Sequence, residues 1–333
     1  NVAANAMFGS LSGSGIAAAT AVGGVMGPLE KEEGYDEKFS AACNIATAPV
    51  GQLIPPTNAF IVYSAASGGA AVATLFMAGW IPGLLWAFLC MIVAFIYGKK
   101  HGYVVKREKM TAAVVGKTIL DSIPSLLLIV IIIGGILSGY FTPTEASGVA
   151  VIYAFILSVF VYKSIKLSEI KDILVNAAVT TTIVMLIIGA SSVLSFVLSF
   201  TGLPQAISNL MLGVSDNKIV ILLMINIILL IVGTFMDMAP ALLIFTPIFL
   251  PVITAIGMDP IQFGVMMVMN LSIGTITPPV GSVLFVGCSV GKLKVEDVIG
   301  KLIPFFGAIV VALLFVTFVP AISTWLPTVL GLM

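Results

Sequence analysis

Asp237 is the one charged residue in the forty-residue stretch from Ile219 to Met258, inside "LLIVGTFMDMAPALLIF". A carboxylate in so apolar a setting can ligate a cation, carry a proton or cap a helix. Thr234 adds a hydroxyl three residues earlier, and Gly233 allows close backbone approach to a ligand. Downstream, "SIGTITPP" (272–279) supplies Ser272, Gly274 and Thr275 beside a Pro-Pro pair. A second group of the same kind lies near the start. "FGSLSGSG" (8–15) holds Ser10, Ser12, Gly13 and Ser14, and "APVGQLIPP" (48–56) holds Gly51 and Pro55. Hydroxyl, carbonyl and carboxylate oxygens suit a hard cation, and a tip facing a broken helix can hold Na⁺, although a lone carboxylate can serve a proton instead. Two structural roles for Asp237 compete with ion ligation. It can be the N-cap of a helix starting at Met238, with Pro240 in the first turn. It can also sit in an interfacial loop, since each arm of about 18 residues rises ~27 Å. An intramembrane carboxylate costs ~2.5–3.5 kcal/mol at a helix centre on insertion scales, which favours the functional role.

Other chemistries find little support. His101 is the only histidine and lies in the basic stretch "GKKHGYVVKREK", a solvated setting. Cys43, Cys90 and Cys288 are far apart in apolar segments, without the paired spacing of a metal site or disulfide framework. "VVGKT" (114–118) lacks a phosphate loop's first glycine, because position 111 is Thr. An intramembrane enzyme would need a catalytic pair in the membrane, such as two Asp or a Zn-binding H-E-x-x-H. Neither an ATP-driven pump nor an enzyme is therefore expected, nor is a nucleic-acid partner. A channel lined by opposed hairpins is a further rival.

The chain is 59% hydrophobic and 9% charged, against roughly 25% charged in soluble domains. It reads as an all-α polytopic membrane protein in a lipid bilayer, with helices expected near 36–48, 57–66, 73–97, 122–140, 144–162, 170–200, 219–235, 239–256, 260–271, 280–290 and 302–326. The basic stretches 31–38, 99–117, 163–171 and 292–301 hold 14 of the 15 Lys and Arg; Lys218 is the other. If 1–30 and 219–258 each enter and leave on one side, those four stretches share a face, which is the cytoplasmic one. The C-terminus then lies outside. The opening "NVAANAMFGSLSGSG" has neither an initiator Met nor a signal-peptide pattern, so the chain is expected to begin partway through its fold.

Segments 28–56 and 251–279 align at a constant offset of 223, with six of 29 positions identical. The matches are Pro28/Pro251, Gly34/Gly257, Asp36/Asp259, Gly51/Gly274, Pro55/Pro278 and Pro56/Pro279. Both copies read as hairpin, turn, helix, Gly-x-x-x-Pro-Pro break, helix. By the charge map they enter from opposite faces, giving inverted repeats with two re-entrant hairpins and two Pro-broken helices, the recurring plan of secondary transporters. Expected domains are 1–100 (first hairpin, broken helix and following span), 101–215 (cytoplasmic-face arm and scaffold helices), 216–291 (second hairpin and broken helix) and 292–333 (C-terminal arm and last span).

With "GYFTPTEAS" (139–147), "GTFMDMAPALLIFTPIFLP" and "MNLSIGTITPPVG", the chain resembles the large membrane subunit of TRAP transporters, the tripartite ATP-independent periplasmic transporters. The resemblance covers essentially the whole chain, which departs from the family's pattern in that the N-terminal helices and most of the first hairpin's entering arm are expected to be missing from it. It implies sodium-coupled uptake of an organic acid, a dicarboxylate or a sugar acid such as sialic acid, across the bacterial inner membrane. It also implies an elevator motion and two partners: a periplasmic substrate-binding protein, and a small membrane subunit, separate or fused. One Na⁺ site maps to Ser12, Gly13 and Ser14 with Gly51 and Pro55. The other maps to Gly233, Thr234 and Asp237 with Ser272, Gly274 and Thr275. Polar residues near the breaks, namely Ser14, Asn44, Asn58, Asn270 and Thr275, are candidate substrate contacts, or else helix–helix hydrogen bonds. Glu145 is expected in a helix first turn after Thr142 or Thr144. A Na⁺- or H⁺-coupled carboxylate carrier that needs no binding protein is the alternative.

Overall fold

The computed structural model describes residues 1–103, 112–215 and 217–333, and among these every regular element is helical. Seven helices among the described residues are long and apolar enough to cross a membrane. The chain forms two compact units, residues 1–105 with 194–333, and residues 106–193.

In the larger unit, local signals set each boundary. Helix α1 (Val2–Ser12) ends where Gly13 turns left-handed at φ 62° and returns its N–H to Gly9 O. Ser14 then caps α2 (Gly15–Glu32) by accepting from Ala17 N. Asp36 caps α3 (Glu37–Thr47), which tightens into a 3₁₀ turn at Ala48–Gln52 before the Pro55-Pro56 break. Thr57 caps α4 (Asn58–Ala66), and α5 (Val72–Lys100) follows. The second copy repeats the plan: α10 (Lys218–Phe235), α11 (Met238–Ala255), α12 (Pro260–Gly274), α13 (Ser282–Val290) and α14 (Val295–Phe318). At the offset of 223, α2 and α11 start and end in register, and α3/α12 and α5/α14 start in register. Both Pro-Pro bonds, Pro55–Pro56 and Pro278–Pro279, are cis.

The two hairpins point in opposite directions along α5. Asn1 Nδ2 meets the Glu30 carboxylate at 3.2 Å and closes the first mouth. That mouth adjoins Asp36, which accepts from Tyr97 O–H near the C-terminal end of α5 (3.0 Å). Lys218 Nζ donates to Gly257 O at 3.0 Å and closes the second mouth. Beside it Tyr63 O–H donates to Pro260 O (2.6 Å), and Tyr63 leads into the turn before α5. The C-terminal Leu332 O accepts from Thr74 at that same end. Packing crosses between copies: α1 and α10 lie on their own breaks, whereas α2 packs on α13 and α11 on α4. Helix α12 is the hub, with every residue from Ile261 to Gly274 buried.

Two details depart from expectation. The stretch 302–326 is not one helix: α14 stops at Phe318 and α15 (Ala321–Val329) begins after Pro320, which offers no N–H to continue the ladder. The connecting stretch 200–218 holds its own helix, α9 (Leu203–Val214), packed on α11. The compactness boundary near 193 therefore falls inside the expected segment 101–215.

The smaller unit contains α6 (Ala112–Leu137), α7 (Pro143–Ile156) and the first part of α8 (Ile170–Thr201). Thr142 and Glu145 form a reciprocal capping box on α7, so Thr142 is the cap. Tyr153 O–H ties α7 to Pro124 O of α6 at 2.8 Å.

Candidate functional site

The contact between each hairpin and its break is made by glycine. Gly9, in the last turns of α1, lies so close to Gly51 that a Cβ on Gly9 would fall 2.6 Å from Gly51 Cα. In the second copy a Cβ on Gly233 would fall 3.2 Å from Gly274 Cα, and one on Gly274 would strike the Gly233 backbone. Backbone meets backbone at both places, which no other residue type allows. Gly13 adds a second contact, its missing Cβ facing Pro56 O at 3.2 Å.

Just beyond these contacts lies a cavity of about 200 Å³. Its lining comes from both hairpin tips (Ser14, Asp237), both breaks (Gln52, Thr275) and the first turns of α4 and α13 (Asn58, Ser282). Among the described residues the lining contains no Lys, Arg or His, and its one charged group is Asp237. Four helix N-termini meet here, an arrangement that favours negative charge. Three are already satisfied: α2 by the Ser14 hydroxyl, α4 by the Thr57 hydroxyl, and α13 by Thr275 O, which accepts from Val283 N and Leu284 N. Asp237 stands at the N-cap position of α11 with φ −68° and ψ 157°, yet its side chain makes no cap bond. The carboxylate is exposed, and no described residue pairs with it.

The remaining predicted residues divide into two groups. Ser12 Oγ accepts from Ser14 N at the open tip, and Pro55 is buried in the first break. Thr234 Oγ1, Ser272 Oγ and Thr275 Oγ1 each donate to a carbonyl of their own helix. Asn44 and Asn270 lie away from the cavity as buried links between helices. Asn44 donates to Ala19 O and accepts from Asn5, which also donates to Thr47 Oγ1. Asn270 Nδ2 donates to Asn226 O (3.0 Å) and Oδ1 (2.8 Å). Each link ties a hairpin's entering arm to its own broken helix. Gly9, Gln52 and Ser282 belong to the tips and the cavity and were not singled out by sequence. Gly9 had a readable signal, because "FGS" (8–10) parallels "VGT" (232–234), but the first tip is one residue longer and escapes the offset of 223.

Asp36 anchors a polar cluster at the first mouth. Burial alone would raise its carboxyl pKa, but hydrogen bonds from Lys301 and Tyr97 hold it below the ordinary value. Lys38 and Asp297 pair beside it at 2.6 Å. The three cysteines are buried and free, and His101 is exposed and stacks on Tyr97.

The sequence that builds this arrangement has a counterpart among known families. Residues 1–322 match the family model described as tripartite ATP-independent periplasmic transporter, DctM component. The chain belongs to that family. As a TRAP large permease it is a transporter component, not an enzyme, and a multi-pass protein of the inner membrane. It is 51% identical over 98% of its length to the uncharacterized protein YgiK of Salmonella typhimurium, covering 75% of that relative. It is 35% identical to the sialic acid TRAP transporter large permease protein SiaM of Vibrio cholerae, over 98% of this chain and 76% of that one. It is 38% identical to the isethionate TRAP transporter permease protein DctMQ of Oleidesulfovibrio alaskensis, over 95% of this chain and 49% of that relative.

Proposed function

We propose that this TRAP permease carries a small organic anion together with Na⁺ through the cavity between its hairpin tips. The observation that carries this reading is the charge of that cavity: among the described residues, one carboxylate without a partner and no cationic side chain. An organic anion entering beside Asp237 meets a like charge, which opposes its binding. A bound cation turns that repulsion into attraction, so anion and cation favour each other's binding. Oxygen ligands from tips and breaks suit Na⁺. Asp237, rather than acting as a cap, offsets the ion's charge. Relatives named for C4-dicarboxylate, sialic acid and isethionate transport all have anionic substrates.

In this account the hairpins are re-entrant and enter from opposite faces, with the basic mouth cytoplasmic and the C-terminus periplasmic. The crossed packing of α2 on α13 and α11 on α4 suits an elevator, in which hairpins and broken helices slide as one body. A periplasmic binding protein delivers the substrate, and a small membrane subunit braces the scaffold. If a monoanion moves with two Na⁺, each cycle carries one positive charge inward, which is worth ~2.3 kcal/mol at 100 mV.

The test is uptake of labelled succinate, isethionate and N-acetylneuraminate by the complete transporter in proteoliposomes, with its small subunit and binding protein. Uptake of one of these that needs both an inward Na⁺ gradient and the binding protein is expected. Uptake that persists with K⁺ in place of Na⁺, or without the binding protein, would contradict it.

A further inference from the structure

The two halves of the cavity are related by the repeat, and each pair of equivalent residues divides into a satisfied group and a free one. Ser14 and Asp237 are partners at the offset of 223, and so are Gln52 and Thr275, which directly follow the contact glycines. All four line the cavity. Ser14 caps α2, whereas Asp237 makes no cap bond. Thr275 Oγ1 donates to Ser272 O at 2.7 Å. Gln52 reaches from the first break to the first tip, its Nε2 lying 3.5 Å from where a Cβ on Gly15 would stand. Its Oε1 is buried, and among the described residues nothing donates to it. The free member of each pair therefore offers an acceptor: a carboxylate from the second copy and an amide oxygen from the first.

A buried acceptor without a donor opposes stability, so its place at a ligand cavity points to a ligand that brings a donor. An ionised acid group brings none, since its oxygens only accept. The cation is drawn to Asp237, which offers a full negative charge where Gln52 offers a dipole. We infer that the transported anion carries a hydroxyl besides its acid group, and that this hydroxyl donates to Gln52 Oε1. The inference rests on the organic-anion reading above and narrows its substrates to hydroxylated carboxylates or sulfonates. The contact acts as a filter, because an analogue lacking the hydroxyl enters and leaves the amide oxygen still without a donor. An amide suits the task better than a carboxylate would, since it accepts the hydroxyl without repelling the anion that bears it.

The experiment reads anion binding by the intact membrane complex in NaCl without the binding protein, so that the cavity alone sets the discrimination. Isethionate against ethanesulfonate, malate against succinate, and lactate against propionate are pairs that differ by one hydroxyl. Dissociation constants come from the rise in unfolding temperature with anion concentration. In the pair that binds, the hydroxylated member should bind at least about tenfold tighter than its partner. Gln52→Met removes both polar atoms at similar volume, and Gln52→Leu is the second variant should methionine fold poorly. In either variant the two members should bind within about threefold of each other, because the hydroxylated one has lost its acceptor. If N-acetylneuraminate alone binds, its Kd should rise at least about tenfold in the same variants. The Na⁺-induced rise without anion should be retained. Equal binding of both members by the unaltered complex, or a preference that survives the substitutions, would overturn the inference. Loss of the Na⁺ response in the variants would also overturn it, by making Gln52 a cation ligand. Failure of the unaltered complex to bind any of these anions with Na⁺ would count instead against the organic-anion reading itself.

Discussion

At the scale of residues, Ser14 and Asp237 occupy the same N-cap position in two copies of one motif, and only Ser14 bonds its helix. Ser14→Ala should therefore destabilise the folded complex by about 1 kcal/mol, the usual cost of a lost cap. Asp237→Asn should change stability by less than about 0.5 kcal/mol in KCl, because no cap bond is lost and Asn is an equally good cap residue. Thermal unfolding of both variants in sodium-free buffer checks the pair. Asp237 was legible in the sequence because a lone carboxylate in an apolar run has few explanations. Gln52 was not, because an amide in a loop is ordinary until its buried Oε1 is seen to have no donor among the described residues. Asn44 and Asn270 were readable only as polar residues near a break, ligand contacts or helix–helix hydrogen bonds, and the structure gives each a buried helix–helix bond.

At the scale of elements, the helix ends were legible because caps and prolines carry them. Asp36, Asp259 and Thr142 stand where their helices begin, and the Gly-x-x-x-Pro-Pro pattern marks both breaks. What spacing could not show is that a hairpin's entering arm touches its break through a glycine pair. That contact joins residues 42 apart in one copy and 41 apart in the other, and no local pattern encodes it. Gly51→Ala and Gly274→Ala should each loosen a tip from its break, since the added methyl meets backbone that cannot rotate aside. Gly24→Ala is the control. Gly24 lies within α2 with no atom within 4 Å of an added Cβ, so alanine should be tolerated or stabilise by roughly 0.5–1 kcal/mol. The reverse order, with Gly24→Ala the more damaging by thermal unfolding, would contradict the glycine contacts.

At the scale of the whole molecule, the repeat sets two hairpins tip to tip around a cavity with unequal halves. The charge pattern anticipated the opposed orientation, and the matched starts of α2/α11, α3/α12 and α5/α14 bear out the register. Between the Asp36 cluster and the end near Leu332, α5 measures roughly 43 Å, enough to span a bilayer. Because the Asp36 carboxyl lies below its ordinary pKa, its ion pair stabilises the fold fully above about pH 4. That stabilisation is lost as the pH falls through the lowered folded value. Lys301→Met should thus lower the unfolding temperature at pH 7, and the difference from the unaltered protein should shrink only in acid below about pH 4. A difference that disappears between pH 5 and 7 would assign the effect to another group.

The central claim, that Asp237 belongs to a Na⁺ site, needs no knowledge of the substrate to test. The measurement is the unfolding temperature of the intact complex in NaCl and in KCl at equal ionic strength, with Asp237→Asn alongside. A site with Kd of about 10 mM gives roughly 1.4 kcal/mol at about 100 mM Na⁺. The account predicts a rise of a few degrees that is specific to Na⁺ and shrinks in Asp237→Asn. Equal unfolding temperatures in the two salts, or a Na⁺-specific rise undiminished by the substitution, would contradict it.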